Sequence, residues 1–416
     1  MPRVCIITAG HLATCPRMLK AADSLAAAGY TVRVIHTRHI AWAAAADAAL
    51  CATRPWESTV VDYDRRSNRA TYVRTGVRAQ MAQLLARAVG ADRCPPALAA
   101  RAYGRVHSEL VRAALAQPAD LFYGGTSGAL AAVAAAGRRA CVPFALDLED
   151  FHCAEQDDSP AARLAHRLVG RIERDVLHRA AFLTASSEAI AAAYTDKYAV
   201  SPIPVHNTFP LPASPPDLTP RAGDGLQLYW FSQTIGPQRG LEDAVRAMGL
   251  AGIPGALHLR GRAIAGYVES LQVLAHRVAP HLRVLVHEPA PPDAMIDCCR
   301  GYDVGLALEQ GQVLNRALCL TNKAFTYMLA GLAVAFTDTP GQRPLAAALD
   351  NGAILYRPGD VAALARGLAA WARDEALLHR AKEATWVAAQ RRWHWEHPAE
   401  RGVLLAAVAR ALGTTV

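Results

Sequence analysis

Thr321, Asn322 and Lys323 place a hydroxyl, an amide and an ammonium group together where a polar loop gives way to a helical pattern. The apolar positions Phe325, Met328 and Leu329 follow at spacings of three to four, and Gly331 ends the run, so a helix of about ten residues opens at Thr321. The first amides of such a helix, those of Asn322, Lys323 and Ala324, and the positive end of its dipole suit a phosphate, and Lys323 adds a point charge. Asn322 and Thr326, one turn apart, can offer hydrogen bonds to a ribose or sugar hydroxyl. A capped surface helix with a solvated lysine accounts for the same residues. Elsewhere Arg239 stands in a loop that opens a helix, where a guanidinium can take a phosphate in bidentate fashion. Glu149, Asp150 and His152 close the run VPFALDLEDFH and put carboxylates and an imidazole at one strand end.

These residues need elements that aim them at one place. The stretches 304–308 and 332–336 are short, apolar and bounded by polar residues, as buried parallel strands are, and the helix between them makes a βαβ unit. A crossover helix of that kind starts at the carboxyl edge of its sheet, where open α/β folds bind ligands. The run LQLYWFSQ, the loop 234–240 and the helix LEDAVRAM repeat the strand, loop and helix pattern, and ALHLRGRA follows as a strand and loop carrying Arg260 and Arg262. Near the amino terminus RVCIIT is a strand, Gly10, His11 and Thr14 lie in a loop, a helix begins at Pro16 and Arg17, and TVRVIH is the next strand. DLFYGGTSG is a strand and glycine-rich turn that places Thr126 at the same edge as Glu149, Asp150 and His152. The first loop lacks the glycine fingerprint of a dinucleotide site, so NAD or FAD is not expected. Helices are expected over 77–89 and 96–116, separated by the proline pair Pro95 and Pro96, and a strand around 59–63.

A chain of 416 residues holds two domains of ordinary size. Five prolines fall between Pro210 and Pro220, a linker composition. The expected division is therefore 1–209 for the first domain, 210–224 for the linker, 225–385 for the second domain and 386–416 for a terminal segment with Trp386, Trp393 and Trp395. The abundance of alanine and scarcity of aromatics fit helices on parallel sheets. No long uncharged apolar run suggests a membrane span, and no signal peptide is expected. Nine scattered cysteines without Cys-x-x-Cys spacing read as reduced thiols in cytoplasm. Residues 1–140 carry 18 Arg and Lys against 8 Asp and Glu, a balance of +10 in a chain of net charge +8. Such a domain suits an anionic acceptor or the inner membrane surface, and equally a solvated arginine-rich face. No nucleic-acid motif is present.

The run LTNKAFTYMLAGLAV resembles the donor-site helix of retaining GT-B glycosyltransferases, those with two Rossmann-like domains facing each other across a cleft, and of family four in particular. The resemblance departs at Thr326 and Leu318, where that family has its two glutamates, and Glu309 at the preceding strand end can take over part of their role. It implies that Ser232, Gln233, Gly236, Arg239, Arg262, Glu309, Leu320, Thr321, Asn322, Lys323 and Thr326 line a nucleotide-sugar site. It also implies that His11, Arg17, Thr126, Asp150 and His152 lie on the acceptor side, and that a terminal helix crosses back to the first domain. Arg239, Lys323, His152 and Glu149 are the residues expected to take part in catalysis.

The implied reaction moves a sugar from a nucleoside diphosphate sugar to a small-molecule or lipid-linked acceptor with retention of configuration. It needs no cofactor besides that co-substrate, and no metal. Two other readings stay open: a nucleotide-sugar epimerase or hydrolase using Glu149 and Asp150, or a non-catalytic nucleotide-sugar-binding subunit. The residues give no signal for oligomeric state.

Overall fold

The computed structural model describes residues 1–157, 159–219, 223 and 225–414. It contains two parallel sheets in two compact units, Met1–His206 with Arg401–Val416, and Asn207–Glu400. Of the proline-rich linker expected over 210–224, residues 220–222 and 224 lie outside the described residues, as do the last two residues of the segment expected over 386–416.

The first unit has seven strands: β1 (Arg3–Thr8), β2 (Thr31–Arg38), β3 (Glu57–Asp62), β4 (Leu121–Gly125), β5 (Phe144–Leu148), β6 (Leu183–Ala185) and β7 (Ile203–Pro204). Their order is β3-β2-β1-β4-β5-β6-β7, with every pair parallel. Helices cover both faces of such a sheet, so the run Val4 to Ile7 in β1 is apolar and each of its residues is 1% exposed or less. The sequence expected one helix over 96–116, but two form, Pro96–Tyr103 and His107–Leu115, with Gly104 capping the first. The helix before them begins earlier than expected and runs Arg69–Val89.

The second unit has β8 (Leu226–Ile235), β9 (Gly255–Ala263), β10 (Leu282–His287), β11 (Val304–Ala307), β12 (Ala333–Thr337) and β13 (Ala353–Tyr356). The order β10-β9-β8-β11-β12-β13 is that of a Rossmann-type sheet, again parallel throughout. One face packs the helices Leu241–Ala251, Tyr267–Val278 and Val361–Arg373 around Trp230, Leu257 and Leu306. The other packs Asn322–Leu329 and Glu375–Arg391 around Tyr229, Val334 and Phe336. Trp386 belongs to that second core and Trp393 packs against it, so residues up to Glu400 stay with the second unit. The final helix, Val403–Leu412, belongs to the first.

Both sheets reverse strand order at one point, between β1 and β4 and between β8 and β11. In open α/β sheets the loops at the carboxyl side of such a reversal diverge and leave a crevice for ligand.

Candidate functional site

At the reversal in the second unit, the loop 236–240 after β8 meets residues 308–316 after β11. Glu309 gathers the cations there. Lys323 Nζ is 3.1 Å from Glu309 Oε1 and 3.1 Å from Thr321 Oγ1, and Arg239 Nη1 is 3.8 Å from Glu309 Oε2. Glu309 and Lys323 are both 7% exposed, while Arg239 is half-buried. Burial opposes the charge on Glu309, but Lys323 and Arg239 outweigh it and hold its carboxyl below the usual range. The Glu309 carbonyl accepts from Thr337 Oγ1 at 2.6 Å, and Gln342 Nε2 donates to Thr337 Oγ1 at 2.9 Å, which fixes this corner from behind.

A third cation was not foreseen. Arg316 lies on the short helix Leu314–Leu318, inside what the sequence presents as a loop, and its Nη1 donates to the Gln238 carbonyl at 3.1 Å. Burial and the neighbouring Arg239 both lower its pKa, the mark of like charges crowded into one place. Five residues are too few for a helical period to show, so only Arg316's position six residues before Asn322 hinted at it.

The helix expected to open the phosphate site spans Asn322–Leu329, and Thr321 caps it without a side-chain bond. The Ala324 amide is already bonded to the Thr321 carbonyl at 3.2 Å, so the first-turn amides on offer are those of Asn322 and Lys323 rather than all three. Thr326 is also turned away from any ligand. It is 1% exposed and its Oγ1 donates to the Asn322 carbonyl at 3.3 Å. Leu320 is a core residue beside Phe325 and Ala307, and Leu318 is half-buried at the end of its short helix.

The outer part of the predicted site differs from expectation because the strands run on. Ser232 and Gln233 lie within β8, as the strand LQLYWFSQ implies, half-buried and exposed respectively, and β8 runs on past them through an irregularity to take in Thr234 and Ile235, which were expected in the loop. β9 extends to Ala263, which puts Arg262 beside Thr234, exposed at the strand end. Arg260 is engaged elsewhere: its Nε donates to Tyr229 Oη and its Nη1 to the Glu288 carbonyl, each at 2.7 Å. Gly236 is buried where a Cβ would sit 2.6 Å from Ile264. Gly240 has φ +70°, and a Cβ there would lie 2.6 Å from Leu308 Cβ and 2.7 Å from the Leu308 carbonyl oxygen. Only glycine lets the Arg239 loop lie this close to the end of β11.

In the first unit two expected cleft residues are structural. Arg17 is buried, with Nε and Nη2 on the two carboxylate oxygens of Asp147 at 2.7 and 2.5 Å and Nη1 on the Val205 carbonyl. Burial works against its charge and Asp147 more than restores it, so no face of the guanidinium is left for a ligand. His11 bonds Asp47 through Nδ1 at 2.6 Å, and its Nε2 accepts from the amides of His39 and Ile40 at 3.1 and 3.0 Å. With Nε2 accepting, the proton sits on Nδ1, and the ring ties the loop after β1 to the end of β2.

The loops after β4 and β5 are different. Thr126 has φ +72°, a left-handed conformation costly for a β-branched residue, and its Oγ1 accepts from the Ala9 amide at 3.1 Å across the β1–β4 reversal. His152 is 2% exposed; its Nδ1 is 3.3 Å from Glu155 Oε2, and its Nε2 is buried with no hydrogen-bond partner among the described residues. Burial disfavours the imidazolium, but Glu155, Glu173 and Asp150 overcome this and raise the pKa to about 9. Burial, Asp150 and Asp147 push the Glu149 carboxyl well above the usual range. Asp150 is half-buried and its carbonyl accepts from Tyr194 Oη at 3.1 Å. At this edge burial and neighbouring carboxylates favour the protonated form of both the His152 ring and the Glu149 carboxyl.

No family model and no curated protein matches the chain. Solved structures do, and over essentially all of its length. HepE from Anabaena in complex with UDP superposes with a TM-score of 0.63 at 16% identity, covering 99% of this chain and 100% of that one. Sucrose-phosphate synthase from Thermosynechococcus elongatus gives 0.68 at 13% identity, covering 99% of each chain. TarM from S. aureus, solved with UDP among its ligands, gives 0.67 at 7% identity over both chains in full. At these identities the likeness is one of fold. The two parallel, Rossmann-like units have the GT-B architecture of glycosyltransferases.

Proposed function

We propose that this protein is a glycosyltransferase that takes its sugar from a nucleoside diphosphate sugar bound in the second unit. The observation that carries the proposal is the convergence of Arg239, Arg316 and Lys323 around one carboxylate, Glu309, at the start of the helix Asn322–Leu329 and at the sheet reversal. A diphosphate is the ligand class whose charge matches three cations and two free amides. HepE was solved with UDP, with UDP and glucose, and with UDP-glucose, which makes UDP the first nucleotide to try.

In this reading the cations and the helix start stabilise the departing diphosphate, whose charge grows as the bond to the sugar breaks. With that charge met by the protein, the transfer runs without a metal ion. The departing phosphate takes the proton of the acceptor hydroxyl, and the sugar keeps its configuration, as in the family-four glycosyltransferases that the sequence resembles. For the acceptor, a small molecule or a lipid-linked one, the reading assigns His152, with Nε2–H as donor, and Glu149. The protein is assigned to the cytoplasm, where nucleotide sugars are made.

A second reading, a nucleotide-sugar binder without transfer activity, is favoured by one observation: Thr326, where the family resemblance calls for a ribose-holding glutamate, is buried and bonded to its own helix. Calorimetric titration of the full chain with UDP and UDP-glucose, followed by a search for sugar release, separates the two. Binding that Lys323→Ala and Arg239→Ala each weaken at least about tenfold supports the site, as the loss of one charge-assisted contact predicts. Release of UDP from UDP-glucose, with water taking the glucosyl group where no acceptor is present, supports transfer, and tight binding without release supports the binder. Failure of UDP, GDP, ADP and dTDP alike to bind would sink both.

A further inference from the structure

The helix Arg69–Val89 carries its large apolar side chains on the outside. Its buried positions are small, Thr75, Ala79, Ala82 and Ala86, whereas Val73, Val77, Met81, Leu84, Leu85 and Val89 are each 50% exposed or more. At 3.6 residues per turn Val73, Val77, Met81 and Leu84 fall within about 80° of arc, opposite the buried face. On the same projection Arg69 and Arg87 border that stripe on one side and Arg74 on the other. A helix facing only water normally shows the reverse pattern.

Charge here is as one-sided as shape. Residues 65–91 contain six arginines and no Asp or Glu. Glu109 is 3.5 Å from Arg74 and 2.5 Å from Arg78, but Arg65, Arg66, Arg69 and Arg87 are exposed and make no ion pair among the described residues. The outward face is a fixed part of the fold. Asn68 caps the helix by accepting from the Thr71 amide at 3.1 Å, and Arg105 bonds the Tyr72 carbonyl and Thr75 Oγ1 while lying 4.2 Å over the Tyr72 ring.

We propose that this face docks on the headgroup boundary of an anionic lipid bilayer. An apolar stripe edged by exposed arginines, Arg69 and Arg87 of them without an ion pair among the described residues, matches both parts of that surface, acyl chains beneath and negative headgroups at the level of the guanidiniums. A second copy of the same face fits worse, because a two-fold pairing would set arginines against arginines. The helix lies on the membrane rather than through it: none among the described residues is long and apolar enough to cross. The inference is independent of the glycosyltransferase reading, since no residue it uses belongs to the sites described above.

The test is flotation of the full-length protein with vesicles of phosphatidylcholine alone, or of phosphatidylcholine and phosphatidylglycerol in equal parts. The expected result is binding to the mixed vesicles that weakens as salt is raised, with little on neutral ones. The variant Val77→Ser, Met81→Ser, Leu84→Ser should lose at least about tenfold in partitioning. A second variant, Arg66→Glu, Arg69→Glu, Arg87→Glu, should lose about fivefold or more per charge on mixed vesicles and keep any neutral binding unchanged. All six side chains are exposed, so unfolding temperatures and UDP titrations should match those of the parent. The proposal is overturned if neither variant changes binding, or if the parent ignores both vesicle types. It is also overturned if sedimentation shows a parent dimer that the serine variant turns into monomer.

Discussion

Lys323 sits between Glu309 and Thr321, so on the proposed function a diphosphate would replace one anionic partner, Glu309, by another rather than fill an empty cationic pocket. Glu309→Gln removes the competing charge and leaves Lys323 buried without a counter-ion. Its apo form should lose about 3 kcal/mol of stability, and saturating UDP should restore more of its unfolding temperature than it adds to the parent. Equal gains in both proteins would show that Glu309 does not compete with the ligand. The folded Glu309 has a depressed pKa, so the stability it contributes is present above the ordinary value of 4.5 and is lost as pH falls below it. His152 works in the opposite direction. Its pKa is raised from 6.5 to about 9, so its contribution is complete below pH 6.5 and disappears as pH rises through 9. Urea unfolding across that interval should show the parent losing stability faster than His152→Gln. Parallel pH profiles would contradict the buried imidazolium.

Two glycines let the elements bring these residues together. A Cβ on Gly305 would lie 2.2 Å from the Tyr327 ring, and Tyr327 Oη donates to the Leu306 carbonyl at 3.2 Å, so the helix Asn322–Leu329 lies directly against β11 because that strand has no side chain there. Gly305→Ala should cost about 3 kcal/mol, at the upper end for overpacking, with thermal unfolding as the measure. Gly240→Ala adds a contact with Leu308 to a φ that L residues resist. It should destabilise by about 2 kcal/mol and weaken UDP binding by moving Arg239. A variant that melts early yet binds UDP normally would mean that the Arg239 loop is not part of the site. The same elements show where sequence reading stops. The β-α-β order was legible, and the helix start was too to within one residue, expected at Thr321 and found at Asn322 with Thr321 as its cap, because apolar strands and a capped helical period are local signals. The run-on of β8 through Thr234 and Ile235 and of β9 through Arg262 and Ala263 was not, because polar Thr234 and Arg262 carry no apolar strand signal and enter the ladder only by pairing with each other past the irregularity after Phe231.

For the whole chain, every proposed donor residue falls within Asn207–Glu400, a unit with apolar cores on both faces of its sheet. Expressed alone, 207–400 should unfold cooperatively and bind UDP within about tenfold of the full chain, since the contacts with the diphosphate remain. Circular dichroism and titration would check this, and a folded fragment that does not bind would place part of the nucleotide site elsewhere. The sequence by itself determined the class of fold, two units of parallel strands and covering helices, because burial on both faces of a sheet demands continuous apolar runs wherever the chain places them. It also marked Arg239, Asn322 and Lys323 as candidates for a phosphate, from their types and local positions. Tertiary structure alone decided which charges were left for a ligand. Arg17 and Lys323 look alike as cations near strand ends, yet Arg17 is consumed by Asp147, 130 residues away, while Lys323 shares Glu309 with Arg239 at the reversal of the sheet. Pairing of that kind depends on distances across the fold, and a long guanidinium finds its carboxylate only once the strands are in register.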